Sequence, residues 1–261
     1  MRASASAAAW AVFLRVSVTT KRTGSLLLRR TARPSASASP RPRVFNNRPM
    51  DTIIIATGNP HKVSEVRAIL GDLGIAARII GLADAGGPFA EPAEIGATFE
   101  ANARIKALEY ARQTGGLCLA DDSGLEIDAL GGRPGVISSH YCSDGREEGL
   151  PREERDRLNN ARVLRELSGV PPAARSARFV CEVCLAEPGR VQARARGTFD
   201  GRIGVPPGVP RGAAGFGYDP IFLVAPGYNT TSAELPTEEK NRLSHRGAAL
   251  RALASEIRRM R

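Results

Sequence analysis

Thr52-Ile53-Ile54-Ile55-Ala56-Thr57-Gly58-Asn59-Pro60-His61-Lys62 decides the fold of this chain. The β-branched run from Thr52 to Thr57 has the composition of a short strand buried on both faces. Gly58-Asn59-Pro60 ends it, and Val63, Val66, Ile69 and Leu70 recur at helical spacing until Gly71 or Gly74 stops the run. A buried strand that feeds a helix through a tight turn is the opening unit of an α/β protein.

Outward from this unit the same alternation continues. Ala77 to Leu82 reads as a second strand, and Ala85 to Gly96 as a Gly/Pro-rich exposed loop. Thr98 caps a helix to about Gln113, with Phe99, Asn102, Ala103, Lys106 and Tyr110 on one face and Gly115-Gly116 closing it. Leu117 to Ala120 reads as a buried strand that delivers Asp121-Asp122-Ser123-Gly124 at its end; Leu125 to Leu130 continues extended before the turn at Gly131-Gly132-Arg133-Pro134-Gly135. Pro151 to Leu167 is an amphipathic helix. Arg178 to Ala186 and Arg190 to Phe199 flank Pro188-Gly189 as an antiparallel hairpin. A last strand spans Ile221 to Val224, and Glu238 to Met260 is helical with a break expected near Gly247. The order of elements predicts mixed α/β architecture.

The chain has 261 residues and a net charge of +10, but the excess sits in one place. Residues 1–50 hold ten Lys/Arg and no acid, so the 27 remaining basic residues balance the 27 acids of residues 51–261. A neutral folded part gives no indication of bulk electrostatic attraction to nucleic acid. Residues 1–49, rich in Ala, Ser and Arg, are expected to be a disordered leader, and 50–261 a single domain. Its apolar patch from Ala7 to Leu14 is too short to span a membrane. Two readings of the leader stay open: an organelle transit peptide, or an upstream start codon with Met50 as the working start, the reading preferred here, which makes the protein cytoplasmic. Cys181 and Cys184 lie three apart on a strand and so face opposite ways; with His61, His140 and His245 scattered, zinc and dithiol chemistry are disfavoured.

The chain holds 33 Arg but only four Lys, and Lys62, Lys106 and Lys240 are the three within the folded part. Each stands in a distinctive context. Thr57-Gly58-Asn59-Pro60-His61-Lys62 joins a strand to a helix N-terminus, where free N–H groups and the helix dipole favour an anion. It is not a Walker A loop. Lys106 can reach Asp121-Asp122-Ser123-Gly124, an acidic pair costly to bury without compensation, and Glu94 with one of these acids would suit Mg²⁺. Alternation along a strand lets one acid of the pair face a cleft while the other turns back. Phe216-Gly217-Tyr218-Asp219-Pro220 offers a Gly-held aromatic for stacking on a planar base. Glu238-Glu239-Lys240-Asn241 and Ser244-His245-Arg246-Gly247 supply a cation and a donor cluster suited to phosphate and base edges. Each context also has an ordinary structural reading: a plain turn, an Asp-Ser-Gly bend, a core aromatic, a solvated helix.

In this order the segments resemble the inosine/xanthosine triphosphate pyrophosphatase family, which hydrolyses non-standard purine nucleoside triphosphates. The resemblance spans Thr52 to about Leu253 and rests on Thr57-Gly58-Asn59-x-x-Lys62, Asp121-Asp122-Ser123-Gly124-Leu125, Gly131-Gly132-x-Pro134-Gly135, Phe216 to Phe222 and Ser244-His245-Arg246. It implies an elongated mixed β-sheet with flanking helices forming two lobes around a deep nucleotide-binding cleft, a homodimer and a Mg²⁺ cofactor. It also implies roles. Asp122 is the catalytic carboxylate, holding Mg²⁺ or the attacking water, and Glu94 shares the metal. Thr57, Gly58, Asn59, Pro60, His61, Lys62 and Lys240 take the triphosphate, and Lys106 sits by the Asp pair. Ser123, Phe216, Gly217, Tyr218, Asp219, His245 and Arg246 surround base and sugar. Two positions depart from the family pattern: His140 stands where an arginine is usual before the tyrosine, and Ala101 where many members carry Glu. A pyrophosphatase for other modified nucleotides and a non-catalytic nucleotide or RNA-binding module stay open as alternatives.

Overall fold

The computed structural model describes residues 52–259; the leader, the start at Met50 and the predicted helix end at Met260 lie outside them. Six strands form one mixed sheet in the order β2-β1-β3-β4-β5-β6. β1 (Thr52–Ile55) runs parallel to both β2 (Arg78–Gly81) and β3 (Cys118–Ile127). From β3 onward, β4 (Ser176–Glu187), β5 (Arg190–Ile203) and β6 (Phe222–Val224) are antiparallel. The helices are α1 (Pro60–Asp72), α2 (Phe99–Thr114), α3 (Arg152–Glu166), α4 (Thr237–Leu243) and α5 (His245–Arg259).

Strand alternation divides the core by parity. Ile53, Ile55, Leu119, Cys181 and Val183 pack with Val66 and Leu70 of α1 and Leu250 and Leu253 of α5. Ile54, Cys118, Ala120 and Cys184 turn to the opposite face, against Ala103, Ala107 and Tyr110 of α2. Cys181 and Cys184 therefore belong to different faces, as their spacing requires, and both are buried free thiols. Farther along the long strands, Leu125, Ile127, Phe179 and Phe199 pack on Val163 of α3 and Leu167 just past its end, with Tyr218, Ile221 and Phe222.

Local signals explain most element ends. Thr98 accepts from the Ala101 N–H to start α2, and Gly115 closes it in a left-handed cap at φ 68°. Asn59 accepts from the His61 N–H to start α1. Two expectations are corrected. The strand at residues 117–120 does not end before the acidic pair: β3 runs unbroken to Ile127, because β4 pairs with it throughout, Asp121 opposite Val183 and Asp122 opposite Glu182. The helix predicted from Glu238 is two helices, broken at Ser244 rather than near Gly247. Ser244 is extended (φ −63°, ψ 153°), and its hydroxyl accepts from the Gly247 N–H, so it caps the start of α5.

Candidate active site

β1 ends at Ile55, whose partner on β3 is Leu119, so β3 continues past its neighbour and leaves one edge unpaired beside Asp121 to Gly124. A cleft of ≈ 640 Å³ opens there. Its wall contains Thr57, Gly58, Asn59, His61 and Lys62 from the first loop and α1, Glu94 and Lys106, and Asp121 and Ser123. Phe216, Gly217, Tyr218, Asp219, Lys240, His245 and Arg246 complete that set. Segments more than a hundred residues apart thus share one cavity. Pro60, the exposed first residue of α1, does not line it. Asp122 lies behind the wall, buried beside Lys106.

The two adjacent acids have separate fates. Asp121 turns to the α1/α5 face, where Lys62 Nζ donates at 3.1 Å and Arg246 Nη2 at 3.0 Å. Burial works against its charge, but Lys62 and Arg246 outweigh burial and hold the carboxyl far below its ordinary range. Arg246 also donates to Glu65 at 2.6 Å. Two cations and two acids therefore balance. Asp122 turns to the α2 face, where Lys106 Nζ lies 3.0 Å from its Oδ1 and 3.2 Å from Glu94 Oε2. One ammonium serves two carboxylates, and negative charge is left over. Burial chiefly, with Glu94 adding, pushes Asp122 up to about 6 despite Lys106. Asp122, Asp121 and Glu94 raise Lys106 against its own burial, so the ammonium stays charged. Asp122 Oδ2 is buried and has no hydrogen-bond donor among the described residues.

That orphaned oxygen tests the Mg²⁺ expectation. An excess of carboxylate charge, an unsatisfied buried oxygen and a second acid alongside make a donor set that suits a hard divalent cation, which needs few protein ligands. The described residues offer no group of three or more His, Cys, Asp or Glu that would enclose a metal fully. The set fits a hard divalent cation completed by phosphate and water oxygens, which Glu94 and Asp122 would hold from the protein side.

The far end of the cleft is built around the turn from Gly215 to Asp219. Asp219 Oδ2 accepts from the Phe216 N–H at 2.8 Å and from Lys240 Nζ at 2.5 Å, and its Oδ1 accepts from Ser232 Oγ at 2.8 Å. Asp219 is thus a buried brace that fixes Phe216 and Lys240. Gly215, at φ +80°, is required because a Cβ would fall 2.2 Å from Asp219 Oδ2. Tyr218 is buried and donates to the Ser138 carbonyl at 2.7 Å, so its hydroxyl is committed to the core. Phe216 remains half-exposed at the mouth. His245 stacks on Phe179 at 5.2 Å, its Nδ1 buried without a partner; burial, reinforced by Arg246, drives its pKa well down, so the ring is neutral.

Sequence reasoning missed several residues. Glu65, which braces Arg246, sits three residues after Lys62 on the same helix; that helical spacing was the available signal. Arg152, Arg155 and Asp156 of α3 also line the cleft, and no local motif marks them. Asp156 accepts from the Gly217 N–H at 2.8 Å, and Asn160 donates to the Gly217 carbonyl at 3.0 Å. At the two departures, His140 pairs with Glu147 at 2.7 Å and meets Arg155 Nη1 at 3.1 Å. Ala101 packs where a Cβ built on Gly96 would lie 2.7 Å from its own.

The model of the Ham1 family matches residues 53–256. A protein named dITP/XTP pyrophosphatase from an Exiguobacterium species is 46% identical over 206 residues, 78% of this chain and 96% of its own. One of the same name from Frankia alni is 45% identical, covering 79% and 96%. Among solved structures, a HAM1 protein from Coxiella burnetii is 38% identical with a TM-score of 0.67, covering 80% of this chain and 100% of its own. The Ham1 protein of Staphylococcus aureus, 32% identical, gives the same TM-score over 81% and 100%.

Proposed function

The chain belongs to the Ham1 family, and on that premise we propose that it hydrolyses non-standard purine nucleoside triphosphates (ITP, dITP, XTP) to the monophosphate and pyrophosphate. The observation that carries this reading is the imbalance at Asp122: excess carboxylate charge and a free buried oxygen just behind the wall of a cleft that also presents an aromatic.

The triphosphate would lie along Thr57, Asn59 and Lys62, with the N–H groups at the start of α1 directed at phosphate oxygens. Lys240, which Asp219 ties beside Phe216, would meet it on the side nearer the base. Mg²⁺, held by Glu94 and Asp122, would supply charge neutralisation of the phosphate oxygens and of the departing pyrophosphate. Asp122, through the Oδ2 that Lys106 leaves free, would either hold that Mg²⁺ or orient the attacking water and take its proton as the water adds to the α-phosphorus. Lys106 keeps the Asp122 carboxylate in place through Oδ1. Cleavage of the α–β bond then releases pyrophosphate.

Base selection would fall to Phe216, stacking on the purine, and to Arg246, which shares the Asp121 carboxylate with Lys62. Arg246 is a donor only, so an adenine amino group facing it would go unpaired, at a cost of about 1–3 kcal/mol. His245 is neutral, and its free Nδ1 can adapt by tautomer. Most of the Arg246 guanidinium is already given to Asp121, Glu65 and Ser123, so it recognises a base from a fixed position. A substrate panel with pyrophosphate detection tests the proposal: ITP, dITP and XTP should release it at rates at least tenfold above ATP, and no release from any of them would overturn it. A homodimer and a cytoplasmic location are proposed with it; light scattering on the purified protein checks the first. No helix among the described residues is long and apolar enough to cross a membrane.

A further inference from the structure

Arg152 is the first residue of α3, where its charge meets the positive end of the helix dipole, an unfavourable placement. Its partner on the same helix, Asp156, is four residues C-terminal and 3.8 Å away, the weaker orientation for such a pair. Neither feature of helix α3 gains stability from a cation at this position. What Arg152 does reach is Phe216: its guanidinium carbon sits 4.3 Å from the ring centroid, inside the cleft. Lys240 lies 5.7 Å from the same centroid but is tied to Asp219. Arg152 is the freer cation, with a side chain 40% exposed.

Resting on the pyrophosphatase reading, we propose that Arg152 is a specificity-determining residue that contacts the purine base stacked at Phe216 and favours the ionised xanthine ring over the neutral hypoxanthine ring. The chemistry follows from the bases. Xanthine carries two ring carbonyls and, once joined to ribose, loses a ring proton close to neutral pH. Hypoxanthine holds its proton well into the alkaline range. A planar guanidinium beside the base gains both a stacking surface and, with xanthine, an opposite charge. The charged groups around Phe216 and Arg152 in the cleft wall are Asp156 and Arg155 of the same helix, with Arg155 given to Glu147 and His140, and Lys240 of α4 bound to Asp219. Asp219 neutralises Lys240 and Glu147 holds Arg155, so Arg152, paired only at 3.8 Å with Asp156, supplies the cation available to an anionic base.

The test is the ratio of kcat/KM for XTP to that for ITP, measured from pH 5 to 8 in the wild type, Arg152→Gln and Arg152→Lys. The ratio cancels protein groups that titrate alike with both substrates. In the wild type it should climb with pH as xanthine ionises. Arg152→Gln should lower it by roughly five- to tenfold above the ionisation and flatten the climb. Arg152→Lys, which keeps the charge, should restore much of the climb. A ratio in Arg152→Gln that follows the wild type at every pH overturns the assignment, as does a Lys variant as flat as the Gln one. Absence of turnover of both substrates by the wild type is a different result and defeats the pyrophosphatase reading itself.

Discussion

Asp121 and Asp122 show how adjacent residues of the same type acquire different work. Pleating sends one side chain to each face, and the neighbours then decide its chemistry. Asp121 meets Lys62 and Arg246; Asp122 shares a single lysine with Glu94. Asp121→Asn should therefore cost about 3 kcal/mol of stability, since it leaves a buried guanidinium short of its partner. Asp122→Asn should leave stability unchanged or improved, because it relieves repulsion with Glu94, while lowering pyrophosphate release by about 10²- to 10⁴-fold. Urea unfolding and turnover of the two variants separate the roles. His245 gives a pH prediction. Its pKa in the fold is depressed, so below the ordinary value of 6.5 the unfolded chain binds a proton that the fold refuses. Stability from this residue is full above that pH and falls as pH drops below it, by at most about 1.4 kcal/mol per unit. Asp122, whose pKa is raised, acts in the opposite sense, its contribution growing as pH falls toward the ordinary carboxylate range. The difference in unfolding free energy between wild type and His245→Phe, taken from pH 5 to 8, isolates the histidine and should shrink as the solution is acidified.

At the scale of elements, the site depends on how closely α5 sits on β5. A Cβ at Gly197 would fall 2.2 Å from the His245 carbonyl oxygen and 2.3 Å from the Ala249 nitrogen, so this glycine sets the approach of the helix that carries His245 and Arg246. Gly197→Ala should lower stability by about 1–3 kcal/mol through overpacking. It should also raise KM for ITP even at temperatures where the variant is fully folded, which thermal melts and steady-state rates check together. The break between α4 and α5 was legible in principle: Ser244 is a capping residue three positions before Gly247, yet the glycine drew the prediction because glycine is the commoner helix breaker. The length of β3 was not legible. Asp-Asp-Ser-Gly reads locally as a turn, and only a long antiparallel partner keeps it extended.

At the scale of the molecule, the cleft is not a basic trough. Its wall carries Lys62, Lys106, Arg152, Arg155, Lys240 and Arg246, but also Glu65, Glu91, Glu94, Asp121, Asp156 and Asp219, with Asp122 just behind. Cations and acids of the wall cancel. A triphosphate brought in alone would gain little net attraction, whereas one that arrives with a divalent cation would find the surplus acids useful. Chelation of divalent metal should therefore weaken ITP binding at least tenfold in calorimetry, and not merely stop turnover. Equal affinity with and without metal would mean that Glu94 and Asp122 hold no cation.

The sequence by itself determined the mixed α/β order of elements, the caps at Thr98 and Asn59 and the separation of the cysteines, because each depends on local spacing; that Lys62, Lys106, Lys240 and Phe216 share one cavity was legible only through the family resemblance of their motifs. Only the tertiary structure decided which aspartate is neutralised, that Asp219 and Tyr218 serve as braces, and that Glu65, Arg152 and Asp156 take part. Those outcomes depend on electrostatic and hydrogen-bond partners far apart along the chain. Charge balance around a buried group is a property of its neighbours in space, and no window of sequence contains them.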